Sequence, residues 1–189
     1  MLRLRPYKPC DAESIVSWCE SKKTFALWGG NRFGTFPISA ETMNRKYLDE
    51  NGDCAESDNF YPMTAADDNG AAGHFIIRYI DGDSKVLRLG WVILDPSRRG
   101  MGFGKEMIRL GIKFAFEIMG ADRLTIGVIE SNAPAYRCYL SAGFRRSEHL
   151  ADSQIEIDGG KLKIIELELT KEEFLIRGNK NVGNRNKST

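Results

Sequence analysis

Short runs rich in apolar residues, bounded by polar turns, follow one another along the middle of the chain, as in consecutive β-strands. Three such segments, at residues 61–66, 73–80 and 86–94, are separated by polar turns at 67–70 and 81–83. Short turns built from Asp, Asn and Gly join antiparallel neighbours. The pattern therefore predicts an antiparallel meander of three strands.

Helical periodicity flanks this meander on both sides. Residues 103–119 carry apolar side chains every three or four positions, which predicts an amphipathic helix. Asn132 is placed to cap a second helix over residues 133–141. Before the meander, Asp11 and Ser39 are placed to cap two further helices.

The remaining apolar segments predict further strands and one short helix. The strands expected are residues 2–5, 123–129, 144 onward, and a hairpin of 155–157 with 163–169. Thr170 and Glu173 have the spacing of a capping box, which predicts a last short helix after them. Strands that follow one another in runs, with helices before and after, indicate a mixed α+β domain rather than a regular βαβ array.

The composition is that of one globular domain. The chain has 189 residues, of which 42% are hydrophobic and 28% are charged, which suits a single well-packed core and is short for two. We expect the domain to span residues 1–176, and the polar stretch 177–189 to form a disordered tail. Because no apolar run is long enough for a signal peptide or a membrane span, we expect no membrane partner.

The cysteines and the charged residues indicate the cellular compartment and the kind of partner. The four cysteines show no metal-ligand spacing and no CxxC motif, which predicts free thiols in a reducing cytoplasm and no metal site. A net charge of +1 argues against a nucleic-acid partner. The basic tail is the one feature that favours such a partner. Residues 98–123 are locally basic and suit an anion, whereas residues 41–58 are acidic and suit a cation.

A glycine-rich turn joins the last strand of the meander to the first long helix. Residues 98–104 place three glycines behind Arg98 and Arg99. Glycine allows close backbone approach, and the first N–H groups of a helix attract an anion, so this turn predicts a phosphate site. A P-loop is excluded because Glu106 stands where Ser or Thr is needed, and a dinucleotide fingerprint because Lys105 stands where the third glycine is needed.

Two motifs in this region resemble those of the GNAT N-acetyltransferase superfamily. The loop matches Arg/Gln-x-x-Gly-x-Gly/Ala through Arg99, Gly102 and Gly104. The segment from Asn132 to Phe144 matches the family's Asn-x-x-Ala/Ser pattern, which is followed by Tyr and a Gly-Phe pair. Other segments are similar to a subgroup that contains ribosomal-protein N-terminal and aminoglycoside acetyltransferases. The resemblance implies a central mixed, mostly antiparallel twisted sheet of six to seven strands, flanked by about four helices.

The resemblance also implies acetyl-coenzyme A as cosubstrate and a place for each of its parts. The pyrophosphate would lie on the backbone N–H groups of the loop, with Arg98 as a further charge, and the pantetheine arm would pair with residues 92–94. Tyr139 would be the general acid that protonates the leaving thiolate, since a phenol and a thiolate have comparable pKa values. The implied cosubstrate-binding residues are Val92, Ile93, Leu94, Arg99, Gly100, Met101, Gly102, Phe103, Gly104, Lys105 and Asn132.

The base that takes the proton of the attacking amine is not identified by the sequence. Removing that proton from a lysine-like amine at pH 7 costs about 4–5 kcal/mol. Many family members place a glutamate where this chain has Gly127. Glu130, His74 and the acidic residues within 53–58 stay as alternatives. Cys138 has no histidine near it in the sequence, so we expect direct attack in a ternary complex rather than a covalent acetyl intermediate.

These features predict an acetyl-CoA-dependent N-acetyltransferase that acts on a primary amine of a small molecule or peptide. The alternative is a coenzyme A-binding module without catalysis, which the missing glutamate favours and Tyr139 disfavours. Trp28 and Phe33 are candidates for holding the amine by cation–π contact, and the acidic segment 41–58 favours a cationic acceptor. The sequence leaves open which amine is used among peptide N-termini, polyamines, aminoglycosides and metabolites, and whether the protein is a monomer or a homodimer.

Overall fold

A single eight-stranded sheet runs through the computed structural model, which describes residues 1–29, 32–51, 60–157 and 159–177. The apolar segments form strands whose successive side chains point to opposite faces of the sheet, and both faces are covered. The strands are β1 (Arg3–Pro6), β2 (Phe60–Asp67), β3 (Gly70–Ile80), β4 (Asp83–Leu94), β5 (Arg123–Ile129), β6 (Arg145–Arg146), β7 (Ser153–Ile157) and β8 (Gly160–Thr170).

The sheet is mixed and mostly antiparallel, as the sequence predicts. Its strand order is β1-β2-β3-β4-β5-β8-β6, with β7 also paired to β8. Every pairing is antiparallel except that between β4 and β5. The eight strands correspond to the eight segments that the sequence predicts and exceed by one the six to seven that the family resemblance implies; β6 has only two residues.

Within the described residues, six α-helices flank the sheet, two more than expected. They are α1 (Ala12–Ser17), α2 (Lys22–Trp28), α3 (Ala40–Asn51), α4 (Phe103–Lys113), α5 (Ala133–Ala142) and α6 (residues 171–177). Helix α2 was not anticipated from the pattern, and it begins because the Ser21 side chain accepts a hydrogen bond from the Thr24 N–H. The predicted helix over 103–119 continues beyond α4 as a π-helical turn at Phe114–Ile118.

The predicted helix caps are confirmed at Ser39, Asn132 and the Thr170–Glu173 box, each of which forms a side-chain hydrogen bond to a backbone N–H. The expectation for Asp11 is wrong, because its carboxylate makes no cap hydrogen bond to α1. It accepts hydrogen bonds instead from the Arg5 guanidinium, the Lys8 N–H and the Thr64 hydroxyl. Burial alone would raise the pKa of Asp11, but these hydrogen bonds lower it below its ordinary value.

A hydrophobic core lies on each face of the sheet. On one face α4 and α5 cover strand side chains such as Phe75, Leu89 and Ile126. On the other face α1, α2 and α3 cover a smaller set that includes Ile76 and Ile93. Because each core is apolar and packed, the two cores fix the middle of the sheet from both sides.

The sheet opens at its centre, between the parallel strands β4 and β5. These strands pair only from Val86 to Leu89 and from Arg123 to Ile126, and beyond Leu89 no register pair joins them. A bulge in the β3–β4 pairing follows at once, and within it Trp91 has a φ of 48°. A bulge bends and twists its strand, so the last residues of β4 turn away from β5. Of the tail predicted at 177–189, residue 177 belongs to α6, and residues 178–189 lie outside the described residues.

Candidate active site

A cleft of about 1020 Å³ occupies the opening between β4 and β5. Its walls are the ends of the two strands, the start of α4 with the loop before it, the face of α5, and the end of α2. Most of the residues implied as cosubstrate-binding or catalytic meet here: Val92, Ile93, Leu94, Arg99, Gly100, Gly102, Gly104, Lys105, Asn132 and Tyr139. The sequence therefore predicted residues that the fold brings together from three separate segments.

The glycine loop presents unused backbone donors at the N-terminus of α4. Gly100 and Gly102 have φ values of 77° and 86°, which only glycine adopts readily. The N–H groups from Gly100 to Lys105 donate no backbone hydrogen bond to any residue that the structure describes, and the first in-helix bond of this region comes from Glu106 to the Gly102 carbonyl. A Cβ atom built at either positive-φ glycine would meet open space. Free N–H donors at the positive end of the α4 dipole suit a phosphate.

The arginines before the loop have different partners. Arg99 and Lys105 line the cleft, where their charges can face a phosphate. Arg98 does not line it, because its guanidinium binds the Asp67 carboxylate at 2.6 Å and stacks over the Phe103 ring at 5.0 Å. The expectation that Arg98 supplies charge to the phosphates is therefore replaced by a structural role in holding the loop to β2.

Met101 and Phe103 were expected to bind the cosubstrate and do not line the cleft with their side chains. The Met101 side chain is 65% exposed on the outside of the loop. Phe103 packs against the larger core below Arg98. Only the backbone N–H groups of these two residues are available to a phosphate.

The bulge at Trp91 shapes the β4 wall of the cleft. The Trp28 indole Nε1–H donates a hydrogen bond of 2.7 Å to the Trp91 carbonyl oxygen. This bond uses the Trp91 carbonyl and helps hold a backbone conformation that is rare for a tryptophan. Val92, Ile93 and Leu94 follow directly and run along the cleft without a partner on the β5 side. Their backbone groups are placed where an extended amide-bearing chain can pair with them.

Tyr139 is the one tyrosine among the described residues that line the cleft. The side chain is 6% exposed, and its ring packs edge-on against Phe144 at 6.4 Å. Burial raises the pKa of the phenol, and the neighbouring Cys138 thiol adds to the rise. No hydrogen bond joins the hydroxyl to another described residue, so it is a protonated donor without a protein acceptor. The hydroxyl can therefore donate a proton to a group bound in the cleft, although its raised pKa makes it a weaker acid than an ordinary phenol.

Cys138 also lines the cleft but is a poor nucleophile. Its sulfur lies 3.5 Å from the position that a Cβ atom on Gly104 would take. Burial raises the pKa of the thiol, although the Lys105 charge opposes the rise. A thiol held protonated does not attack a thioester readily, which supports the expectation of direct transfer.

The base candidates within the described residues lie away from the cleft. His74 is fully buried against Tyr47, whose hydroxyl lies 2.6 Å from Nε2, and burial lowers the pKa of His74 to about 3. Glu130 pairs with Lys163 at 3.1 Å on the surface. The acidic residues within 53–58 lie outside the described residues. Neither His74 nor Glu130 is thus placed to take a proton from an amine in the cleft.

An ion pair missed by the sequence reasoning occupies the space over Gly127. Arg88 on β4 donates to both carboxylate oxygens of Glu166 on β8, at 2.8 and 3.0 Å. A Cβ atom on Gly127 would lie 2.5 Å from Arg88 Nη2 and 2.9 Å from Ile164 Cγ2. Position 127 therefore has no room for a larger side chain while the pair is formed. The partners are 78 residues apart in sequence, and no local pattern identifies them.

The aromatic residues expected near the acceptor divide into two groups. Trp28 lines the cleft and stacks on Phe33, with ring centroids 4.7 Å apart. Both side chains are buried, but Phe33 does not line the cleft and packs against Tyr47 and Trp91. Trp28 is therefore the member of this pair that an acceptor can contact.

No group of three or more His, Cys, Asp or Glu side chains stands close enough to hold a metal ion in the described part of the chain. No helix in the described ranges is long and apolar enough to cross a membrane.

Comparison with known proteins identifies the family. The model of the acetyltransferase (GNAT) domain matches residues 1–145. An uncharacterized N-acetyltransferase from the SPbeta prophage of Bacillus subtilis, YokL, is 30% identical over 141 residues, which is 74% of this chain and 75% of that protein. An N-acetyltransferase 9-like protein of Caenorhabditis briggsae is 25% identical over 169 residues, 85% of this chain and 84% of that protein.

Solved structures share the fold at low sequence identity. Spermidine N-acetyltransferase from Vibrio cholerae, in complex with CoA and spermine, superposes with a TM-score of 0.74 at 19% identity, over 92% of this chain and 98% of that one. The aminoglycoside acetyltransferase AAC(6')-Ib in complex with coenzyme A gives a TM-score of 0.69 at 19% identity, over 92% and 97% of the two chains. With the loop, the open sheet and the family match in agreement, the chain belongs to the GNAT acetyltransferases and is an acetyl-CoA-dependent acyltransferase.

Proposed function

We propose that the protein transfers the acetyl group of acetyl-CoA to a primary amine by direct attack within a ternary complex. The observation that carries the proposal is the opening between β4 and β5, which leads from the free N–H groups of the α4 loop to Tyr139. A carrier with phosphates at one end and a thioester at the other fits such an opening from end to end. The free thiols of the described cysteines support a reducing, cytoplasmic setting.

The donor is held by three parts of the cleft. The pyrophosphate lies on the N–H groups of residues 100–105, with Arg99 and Lys105 beside it. The pantetheine amides pair with the free edge of residues 92–94, and Asn132 contacts that arm as well as capping α5. A backbone N–H near Val92 polarises the thioester carbonyl, so the developing oxyanion meets a fixed donor.

The reaction then needs two proton movements. The amine nitrogen attacks the thioester carbonyl carbon, and the carbon–sulfur bond breaks to leave coenzyme A as a thiolate. The Tyr139 hydroxyl gives its proton to that sulfur and recovers one from water, while the new amide nitrogen loses a proton. Because the described residues that line the cleft include no carboxylate and no histidine, we propose that the amine proton leaves through water.

The test compares Tyr139→Phe with Tyr136→Phe. Tyr136 lies one helical turn earlier on α5 and is partly buried, but it does not line the cleft. With a panel of primary amines, we expect release of coenzyme A thiol to fall about a hundredfold for Tyr139→Phe, with acetyl-CoA affinity kept, and to be unchanged for Tyr136→Phe. Equal rates in the two variants would reject Tyr139 as the acid.

A coenzyme A-binding module without catalysis is the second candidate, and the lack of a carboxylate in the described cleft lining favours it. Calorimetry with acetyl-CoA measures the donor site, and thiol release measures transfer. Binding without any amine-dependent thiol release would select the non-catalytic module. A folded protein that does not bind acetyl-CoA would overturn both.

A further inference from the structure

The charged residues that line the cleft are all of one sign within the described part of the chain. Asp and Glu are absent from that lining, and the basic residues in it are Arg32, Arg78, Arg88, Arg99, Lys105 and Arg137. Arg99 and Lys105 belong to the loop that the donor phosphates occupy. Arginines elsewhere in the cleft are not needed for that purpose.

Three of these arginines lie on the face of the sheet opposite to α4 and α5. Arg88 shares a strand face with Gly90, whose missing side chain would point at Ile76 in the smaller core. Arg78 on β3 is the register partner of Arg88 and so lies on the same face. Arg32 follows α2, which covers that face. An acceptor that approaches the thioester from this side therefore meets arginines first.

Arg88 is held by its ion pair and keeps unused N–H donors. Its two contacts with Glu166 use one N–H from each terminal nitrogen, and a guanidinium has five N–H donors. Glu166 is 5% exposed, so the pair is held in a buried, ordered position. The guanidinium crosses over Gly127, at the apex where β4 and β5 separate. A preorganised fork with free donors is suited to a carboxylate.

Arg32 supplies a second cation next to the bulge. Its guanidinium carbon lies 6.0 Å from the centroid of the Trp91 ring, and the side chain is exposed. No ion pair joins Arg32 to another residue that the structure describes. Its charge is thus directed over the strand that holds the thioester, without a carboxylate in the described structure to neutralise it.

We propose that the acceptor is a small amine that carries a carboxylate, and that this carboxylate binds Arg88 and Arg32 while the amine faces the thioester. The inference rests on the proposed acetyl transfer and names the class of its acceptor. Because Glu166 neutralises Arg88, that residue offers hydrogen-bond donors, and the uncompensated positive charge comes from Arg32. This charge attracts a carboxylate and disfavours a polyamine. The acidic segment 41–58 favours a cationic acceptor instead, and its residues 52–58 lie outside the described residues. The measurement decides between the two classes.

The experiment uses pairs of acceptors in which the carboxylate is replaced by its primary amide, with kcat/KM corrected for the fraction of neutral amine in each acceptor. Glycine, 4-aminobutyrate and 6-aminohexanoate are each compared with the corresponding primary amide, and spermidine and kanamycin represent polycations. We expect kcat/KM for the best carboxylate to exceed that for its amide by about tenfold or more, because one well-formed charge pair contributes about 1.4 kcal/mol. Neither polycation should match it.

Variants test whether the arginines are responsible. Replacing Arg88 alone would leave Glu166 buried without a partner, so both are exchanged in Arg88→Met/Glu166→Met, a change that apolar packing tolerates. The double variant and Arg32→Met should each move the carboxylate-to-amide ratio toward one. Arg45→Met is the matched control, because Arg45 is exposed on α3, pairs with Glu41 and does not line the cleft.

Each outcome separates the acceptor class from the donor chemistry. Preferred acetylation of an amide, spermidine or kanamycin would overturn the acceptor inference and leave the acetyltransferase intact. If acetyl-CoA binds and no member of the panel is acetylated, the acceptor inference is overturned and the protein is the coenzyme A-binding module without catalysis. Absence of acetyl-CoA binding by the folded protein would instead overturn the proposed function.

Discussion

Substituting Gly127 by alanine tests the ion pair that lies over it. The new Cβ atom would lie 2.5 Å from Arg88 Nη2 and 2.9 Å from Ile164 Cγ2, both well inside van der Waals contact. Arg88 must move, and Glu166 then keeps a buried charge without its bidentate partner. Gly90→Ala is the matched control on the neighbouring strand, since its Cβ would lie an ordinary 3.5 Å from Ile76.

The expected loss follows from these contacts. Overpacking a core position costs about 1–3 kcal/mol, and removing one partner of a buried ion pair costs about 3–5 kcal/mol. Since Arg88 is displaced rather than removed, we expect Gly127→Ala to lower the free energy of unfolding by about 3 kcal/mol. That corresponds to a fall in Tm of about 6–12 °C for a chain of this size. Gly90→Ala should change the stability by less than about 0.5 kcal/mol.

Urea denaturation of both alanine variants measures the difference directly. A third variant, Gly127→Ala/Glu166→Gln, removes the buried negative charge, so the alanine should cost less there than in the natural background. If Gly127→Ala unfolds at the same urea concentration as the natural protein, the steric account of position 127 is wrong. If its cost is unchanged by Glu166→Gln, the ion pair is not the reason for it.

Three further changes test other contacts. Gly102→Ala places a side chain at a φ of 86°, which costs about 1–2 kcal/mol, so the acetyl-CoA affinity measured by calorimetry should fall. Gly159→Ala, at a φ of 74° away from the cleft, should leave that affinity unchanged. Equal affinities in the two variants would exclude the loop as the phosphate site. Trp28→Phe removes the donor to the Trp91 carbonyl and should lower the free energy of unfolding, measured with urea, by about 1–3 kcal/mol. An unchanged urea midpoint would show that the bulge is stable without this hydrogen bond. The pKa of Asp11 is lowered in the fold, so the stabilisation by its carboxylate is complete above the unfolded pKa of about 3.9 and is lost as pH falls through the folded pKa. In Asp11→Asn the free energy of unfolding should therefore fall less steeply with decreasing pH than in the natural protein. The same acid dependence in both proteins would contradict the assignment.

Local signals in the sequence predicted much of the fold. Strand β5 was expected at residues 123–129 and lies at Arg123–Ile129. The caps at Ser39 and Asn132 are found as expected because a cap hydrogen bond joins a side-chain oxygen to an N–H three residues later, and its formation requires no distant part of the chain. The glycine loop was likewise predictable, since positive φ values at Gly100 and Gly102 are a property of the residue type.

Features that depend on distant partners could not be predicted in this way. A φ of 48° at Trp91 is disfavoured for any residue with a Cβ and is held by a hydrogen bond from Trp28, 63 residues away. Asp11 has the sequence of a helix cap, but Arg5 and Thr64 compete successfully for its carboxylate. The acceptor side was missed for the same reason, because Arg88 and Glu166 meet only after β5 is placed between their strands.

The short pairing of β4 with β5 gives the sheet two inner edges in addition to its outer ones. An unpaired strand edge is a template on which a foreign strand can add and start aggregation. The inner edges lie inside a cleft too narrow for a folded neighbour but open to an extended segment of an unfolded chain. A donor that pairs along residues 92–94 would cover one of these edges, so saturating acetyl-CoA should keep concentrated protein monodisperse for longer than buffer alone. Light scattering during storage would measure this protective effect.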